Sequence, residues 1–266
     1  MIIVGELINS SRKAIKEAID AIDADFIKKI ALDQEEAGAT YIDVNAGTYV
    51  GNESEKLKWL VENVQSEVSI PCCIDSPDPK ALEEALKIHK GTAMINSISL
   101  EEDRYETILP IVAGTDFKIV ALCMSSDGMP QTCDERLKIA DKLINGLVKN
   151  NIAIDNIYVD PLVQPIGTND TYGIEFLDAV QGIMTNFKGV HTMCGLSNIS
   201  FGLPERKFIN QMFAVMAISR GLDGLIINPL DEAMMGSIIT AETLYGKDEY
   251  CMNYLQAFRS GLVTSK

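Results

Sequence analysis

Short apolar runs that end in an acidic or amide side chain recur along the whole chain, a few tens of residues apart. They read IVGELIN with Glu6 and Asn9, YIDVN with Asp43 and Asn45, CCIDS with Asp75, AMINS with Asn96, YVD with Asp160, GLSN with Asn198 and LIIN with Asn228. A strand buried on both faces is apolar throughout, so a polar residue just past the run belongs to the strand's exit loop. Parallel strands closed into a barrel bring all their exits to one face, where catalysis sits in such barrels. The pattern therefore predicts one pocket lined by carboxylates and carboxamides. Lys, His and Cys, the usual nucleophiles and metal ligands, are scarce at these exits.

Apolar spacing alternates along the chain between a two-residue and a 3.6-residue period. Strands are expected at IIVGE, ATYIDVNA, PCCID, TAMIN, KIVALCM, IYVD, HTMCGL and GLIIN. Helical patterns lie between them, the first at IKKIALDQEEAG and the last at EAMMGSIITAETLYG, and the tail DEYCMNYLQAFRSGLV reads as one more helix over the barrel wall. About eight strands in strict alternation with about eight helices predict an α/β fold, a (β/α)8 TIM barrel. No Pro-, Gly- or Ser-rich linker and no charge block interrupts the pattern, so a single domain is expected over residues 1–266.

The 266 residues carry a formal charge of −15. That excludes a nucleic-acid partner, which demands a basic face, and argues equally against an anionic membrane surface. No apolar run approaches the ~20 residues of a membrane helix. The first strand begins at the first residue, so no leader is expected. None of the six cysteines forms a C-x-x-C pair, and adjacent Cys72 and Cys73 point to opposite faces of a strand, so they cannot chelate one ion together. Free thiols and a cytoplasmic location follow from that usage. No bound metal is expected. His89 is placed at a helix end, where a cation suits the dipole, and His191 opens a strand far from the exit face.

Turn chemistry supports the exits. Ser76, Pro77, Asp78 and Pro79 cap a helix beginning near Lys80, and Ser97 through Glu101 are expected to do likewise for the next helix. Each helix then aims its positive end at the mouth of the pocket.

A Schiff-base aldolase needs a lysine at a strand end, and the lysines here fall on helices or strand starts. A metal hydrolase needs clustered histidines. Asp75 and Asp160 could serve a glycosidase, but 6% aromatic residues give few platforms for sugar. A ring of Asp and Asn suits a flat heterocycle with alternating donors and acceptors, a pterin or a purine. A carboxylate accepts two parallel N–H bonds from an aminopyrimidinone edge, and a carboxamide matches a ring N–H beside a carbonyl. Asp43 reads equally as a loop brace or a ligand contact, and Asn228 as the holder of the turn before Pro229. Asp75, Asn96 and Asp160 demand partners, because each would otherwise cost ~1–3 kcal/mol as a desolvated polar group.

At these residues the sequence resembles a known family. GELIN, IDVNAG, CCIDS, AMINS, YVDPL and above all GLSNISFGLPER with Arg206, followed by Asp231–Ala233, resemble the pterin-binding barrel superfamily, and within it the methyltetrahydrofolate:corrinoid protein methyltransferases. The resemblance runs in order over essentially the whole chain. It implies methyl transfer between N5 of tetrahydrofolate and the cobalt of a corrinoid (cobalamin) carried on a separate protein. Asp75, Asn96 and Asp160 match the residues that hold the pterin ring, Asn198 the one that reaches N5, and Arg206 a position near the folate tail. Glu6, Asp43, Asn45, Gly195 and Ser197 join the implied substrate-binding set. Asn198, Asp160 and Asp75 are the implied catalytic groups. Cobalt(I) is itself a strong nucleophile, which accounts for the missing Lys, His and Cys. The resemblance also implies a homodimer and a corrinoid-binding protein partner. A dihydropteroate synthase-like enzyme and a non-catalytic folate-binding barrel are the alternatives, the first disfavoured because LIINPLDEAM lacks the basic residues a leaving pyrophosphate requires.

Overall fold

A computed structural model describes residues 1–264; Ser265 and Lys266, the last two of the expected domain, lie outside the described residues. Eight parallel strands form a closed barrel in chain order: β1 (Ile2–Asn9), β2 (Tyr41–Asn45), β3 (Cys72–Asp75), β4 (Met94–Leu100), β5 (Lys118–Ser125), β6 (Ile157–Asp160), β7 (His191–Gly195) and β8 (Gly224–Ile227). Pairing of Ile2–Gly5 with Gly224–Ile227 closes the ring. Outside it run α1 (Lys13–Ala21), α2 (Ala24–Glu36), α3 (Glu53–Glu67), α4 (Pro79–Leu86), α5 (Glu102–Val112), α6 (Cys133–Lys149), α7 (Tyr172–Asn186), α8 (Arg206–Ser219), α9 (Glu232–Leu244) and α10 (Met252–Ser260).

Alternation along the strands sorts the side chains. Val4, Tyr41, Cys73, Met94, Val120, Tyr158 and Met193 pack together in the barrel interior with Ile2 and Ile226, so every strand contributes to a solid plug. The intervening residues, among them Ile42, Cys72, Ile74, Ile95 and Ile119, face the helices. All six cysteines are free. Among the described residues, no helix is long and apolar enough to cross a membrane.

Three local expectations differ from the structure. The helix α1 was not anticipated; its N-cap is Arg12, which offers no side-chain cap, so the usual start signal is missing. Ser97–Leu100 are not a cap but the end of β4, and Glu101 precedes α5 without a side-chain cap bond. In its place the Glu102 N–H donates to Ser126 Oγ at 3.2 Å. His89 lies beyond α4, and its Nε2 accepts the Cys72 N–H at 3.0 Å. Burial pushes its pKa down, so it serves as a neutral acceptor rather than as a cation on the helix dipole. The Asp78–Pro79 start of α4 is as expected, with the Asp78 carboxylate accepting the Lys80 N–H at 2.9 Å. The tail forms α10 after a short 3-10 turn, with Asp248 accepting N–H bonds from Asn253 and Tyr254.

The first strand carries a register shift between Gly5 and Ile8. Gln34 of α2 is fully buried against it and its Oε1 accepts the Leu7 N–H at 3.0 Å. A Cβ on Gly5 would lie 2.5 Å from that same oxygen, so only glycine lets the glutamine approach. Bulges of this kind re-aim side chains near a barrel rim. Here Ile8 faces the helices while Glu6, two residues earlier, stays at the mouth.

At the opposite end of the barrel, His191 stacks on Tyr158 with ring centroids 4.6 Å apart. Its Nδ1 lies 2.6 Å from Asp223 and its Nε2 3.1 Å from Asp155. Those contacts, Asp223 first, raise its pKa. A raised histidine contributes stability that is full below the unfolded value of about 6.5 and is lost as pH rises through the folded value. His191→Gln is therefore expected to lower the melting free energy at pH 6 by up to about 1 kcal/mol, a solvent-screened figure, and by less at pH 9. Thermal melts of both proteins across that range measure it; equal losses at both pH values would remove the ionic contribution.

Candidate active site

The strand exits gather as the alternation requires. Asp75 and Asn96 are register partners at the ends of β3 and in β4, and Asn45 is the partner of Asp75 on the other side. Asn45 Nδ2 donates to Asp75 Oδ2 at 2.9 Å, while Asn45 Oδ1 accepts the Gly47 N–H at 2.9 Å. Asn45 is thereby oriented by its own loop and presents its donor to the carboxylate. Asp43, one layer deeper in β2, is buried and points inward beside Cys73 and Asn96. It is a strand residue and not a loop brace. One of its oxygens, Oδ1, is buried with no partner.

Acidic groups crowd this half of the mouth. Burial first, then Asp75, raises the pKa of Asp43 well above the ordinary carboxylate range. Burial also raises Asp75 against the opposing pull of Asn45 and Arg104. Glu6 is raised by burial despite an ion pair with Arg12 at 2.7 Å. Desolvation disfavours the charged form, and mutual repulsion adds to it. The cluster therefore keeps its protons to higher pH than isolated carboxylates would.

Across the barrel Asp160 ends β6, buried, with its Oδ1 accepting the Leu162 N–H at 2.8 Å. Burial lifts its pKa to about 7 against the lowering effects of the Leu162 and Gly195 N–H groups and of Arg136. Gly195 ends β7 and leads into a 3-10 turn, Leu196–Ser200, that carries Ser197 and an exposed Asn198. A Cβ on Gly195 would lie 3.8 Å from Asn198 Nδ2, ordinary contact distance, so no steric demand for glycine arises there.

Arg206 opens α8 and turns its guanidinium back on this loop, with Nε on Ser200 Oγ at 3.0 Å and an Nη on the Ser197 carbonyl at 2.6 Å. It stays close enough to Glu6 to oppose, weakly, the burial that raises that residue's pKa. Two arginines that the sequence analysis passed over do similar work. Arg104 of α5 donates to the carbonyls of Ser76, Pro77 and Ser97, tying the exits of β3 and β4 together beneath Asp75. Arg136 of α6 is fully buried and donates to Pro161 and Leu162 behind Asp160. Both had a readable signal: Arg104 precedes the buried Ile108 and Val112 by four and eight residues, and Arg136 shares its stripe with Ala140, Leu143 and Leu147.

Asn228 lies just past β8, and its Oδ1 accepts the Leu230 N–H at 3.0 Å, the turn-holding role expected of it. Asp231 accepts the Met234 N–H as the cap of α9 and pairs with Lys207 at 3.3 Å. Among the described residues, no group of three or more His, Cys, Asp or Glu side chains is placed to hold a metal ion. The mouth thus offers hydrogen-bond acceptors and carboxamides around a plugged floor, suited to a flat ligand rich in N–H donors.

Residues 5–228 match the family model described as pterin binding enzyme. The chain is 37% identical over 265 residues to the methylcorrinoid:tetrahydrofolate methyltransferase of Eubacterium limosum, covering 99% of this chain and 98% of that protein. It is 30% identical over 242 residues to methionine synthase of Mycobacterium tuberculosis, covering 86% of this chain but 20% of that much longer protein. Among solved structures it is similar to a dihydropteroate synthase from Coxiella burnetii in complex with pteroic acid, with a TM-score of 0.73, 16% identity and coverage of 93% and 94% of the two chains. The dihydropteroate synthase of Xanthomonas albilineans in complex with 7,8-dihydropteroate gives a TM-score of 0.69 at 17% identity, covering 92% of each. At those identities the structural likeness speaks for the fold, and the sequence matches speak for the family: the chain belongs to the pterin binding enzymes.

Proposed function

We propose that this chain is a cytoplasmic methyltransferase, a single barrel domain that moves a methyl group between N5 of tetrahydrofolate and the cobalt of a corrinoid carried on a separate protein. The observation that carries the reading is the makeup of the mouth, where Asp75, Asn96, Asp160 and Asn198 come from four strand exits and the nearby thiols of Cys73, Cys123 and Cys194 are buried and held in the neutral form. End-to-end identity with a methylcorrinoid:tetrahydrofolate methyltransferase supports it. A dihydropteroate synthase would need cations free to receive pyrophosphate at the last exit. There Asp231 already pairs with Lys207.

In this reading Asp75 and Asp160 accept the N–H donors of the pterin, and Asn96 matches a ring donor beside an acceptor. Glu6, Asp43 and Asn45 shape the acidic side of the slot, while Gly195, Ser197 and Arg206 hold the loop that presents Asn198. When the N5–methyl bond breaks, its electron pair stays on nitrogen, and N5 needs a proton or a strong hydrogen bond. The Asn198 carboxamide can donate to N5 without acquiring charge. Asp160, poised at about 7, can hold or yield a proton at working pH. The corrinoid supplies the acceptor or donor of the methyl group and arrives on its carrier.

The apolar groove between α7 and α8, about 450 Å³ in volume, is assigned to the homodimer contact. Phe208, Met212 and Met216 line it and stand exposed in the isolated chain, an apolar patch that asks for a cover. Met212→Lys is expected to convert a dimer into a monomer in light-scattering chromatography; a variant that elutes unchanged would move the contact elsewhere.

Asp160→Ala is expected to weaken tetrahydrofolate binding by ~1.5–3 kcal/mol, the cost of losing a hydrogen bond to a charged group. Its fold should persist, since the substitution removes a desolvated carboxyl. Titration calorimetry with circular dichroism alongside measures both, and undiminished affinity would make Asp160 a structural residue.

Asn198→Ala should slow methyl transfer more than it weakens binding, by ~10²–10³ if the amide acts as a transition-state donor. Transfer out of methyltetrahydrofolate consumes a proton, so its rate should also decline as pH rises past about 7, where Asp160 loses its own. Stopped-flow transfer to cob(I)alamin reads both effects. A variant with wild-type rate and poor binding would reduce Asn198 to a pterin contact.

A further inference from the structure

Arg136 is the largest of the fully buried side chains. Burying a guanidinium costs several kcal/mol unless its donors are met, and an apolar side chain of like volume would fill the space more cheaply. Its Nε donates to the Pro161 carbonyl at 2.8 Å and one Nη to the Leu162 carbonyl at 3.4 Å. The other, Nη1, is buried without a partner. Its donors thus serve two consecutive carbonyls of one turn.

That turn is strained. Leu162 has φ +66°, the left-handed region, which crowds the Cβ of any L-residue against the following carbonyl oxygen. Such a conformation persists only where its surroundings over-determine it. In this conformation the Leu162 N–H reaches Asp160 Oδ1 at 2.8 Å. Guanidinium, carbonyls, strained turn and carboxylate form one connected unit.

We propose that Arg136 is a positioning residue for Asp160: it locks the Pro161–Leu162 turn, so that the Leu162 N–H fixes the carboxylate, and it supplies the positive charge behind it. This rests on the reading that Asp160 receives the pterin. The groups facing Asp160 are Arg136 from α6, Cys123 from β5 and Cys194 from β7. Both thiols are pushed up by burial and stay neutral, so the guanidinium is the charge that favours the carboxylate form.

The test uses the full chain labelled with ¹³C-aspartate, the Asp160 resonance being assigned by its loss in Asp160→Asn. Arg136→Met keeps the volume and removes the charge; Arg136→Lys keeps the charge but cannot bridge two carbonyls. In Arg136→Met the Asp160 midpoint is expected to rise by about one pH unit. Its ionised fraction at pH 7 then falls from about a half to about a tenth, so tetrahydrofolate affinity drops about fivefold more at pH 7 than at pH 9, on top of the pH-independent loss that Arg136→Lys shares. Arg136→Lys should keep the midpoint and lose affinity at all pH values. Loss of affinity by the same factor at every pH in Arg136→Met is what simple packing damage would give, and it overturns the inference. So does wild-type affinity in Arg136→Lys, against the locked turn. The midpoint needs no folate: if it does not move in Arg136→Met the inference fails on its own, whereas a wild-type chain that binds no tetrahydrofolate refutes the folate reading instead.

Discussion

Closure of the sheet by the pairing of β1 with β8 is the constraint on which the rest of the molecule depends. With all eight strands parallel, closure forces every exit to one rim and every entry to the other. A residue's place relative to the end of its strand then decides its fate. Tyr41, Cys73 and Tyr158 fall early in their strands and become the plug. Asp75 and Asp160 fall last and become the mouth. Two residues along a strand separate packing from chemistry.

Gathering acidic groups at a dry rim is electrostatically unfavourable, and the structure counters this from behind. Arg104, Arg136 and Arg206 each lie at or near the start of a helix and donate mostly to backbone carbonyls of the exit loops. Their charge tempers the acids without neutralising them one by one. Had the same guanidiniums formed bidentate pairs with Asp75 or Asp160, those carboxylates would have fewer free acceptors for a ligand. Tying arginine to the loops keeps the acids available and the loops rigid.

Much of this was legible in the sequence because closed parallel barrels repeat a simple code. Period-two alternation in YIDVN and CCID placed Asp75 at an exit and separated Cys72 from Cys73. The eight strand segments follow from the apolar runs alone. Less legible were features set by tertiary contact. Ser97–Leu100 read as a cap because serines favour caps, yet pairing with β5 draws them into the strand. His89 read as a cation, yet one backbone N–H and burial make it an acceptor. Asp43 could be weighed but not placed, since nothing in YIDVN tells an inward residue from a loop residue until the neighbouring strand is in register. The arginine clamps were hidden by habit: a charged residue in an amphipathic helix is taken for the solvent face unless its position on the apolar stripe is checked.

The plug of Val4, Met94, Tyr158, Met193 and their neighbours has a consequence for traffic. It stops the barrel from being a corridor, so whatever reaches the carboxylates must enter and leave by the same doorway. On the proposed reading two visitors share it, a small folate and a macromolecular carrier that must bring its metal to the same atom. The small one has to be seated before the large one covers the entrance, and cannot depart until the large one steps away. The floor of the barrel, far from any reacting bond, thereby imposes a queue.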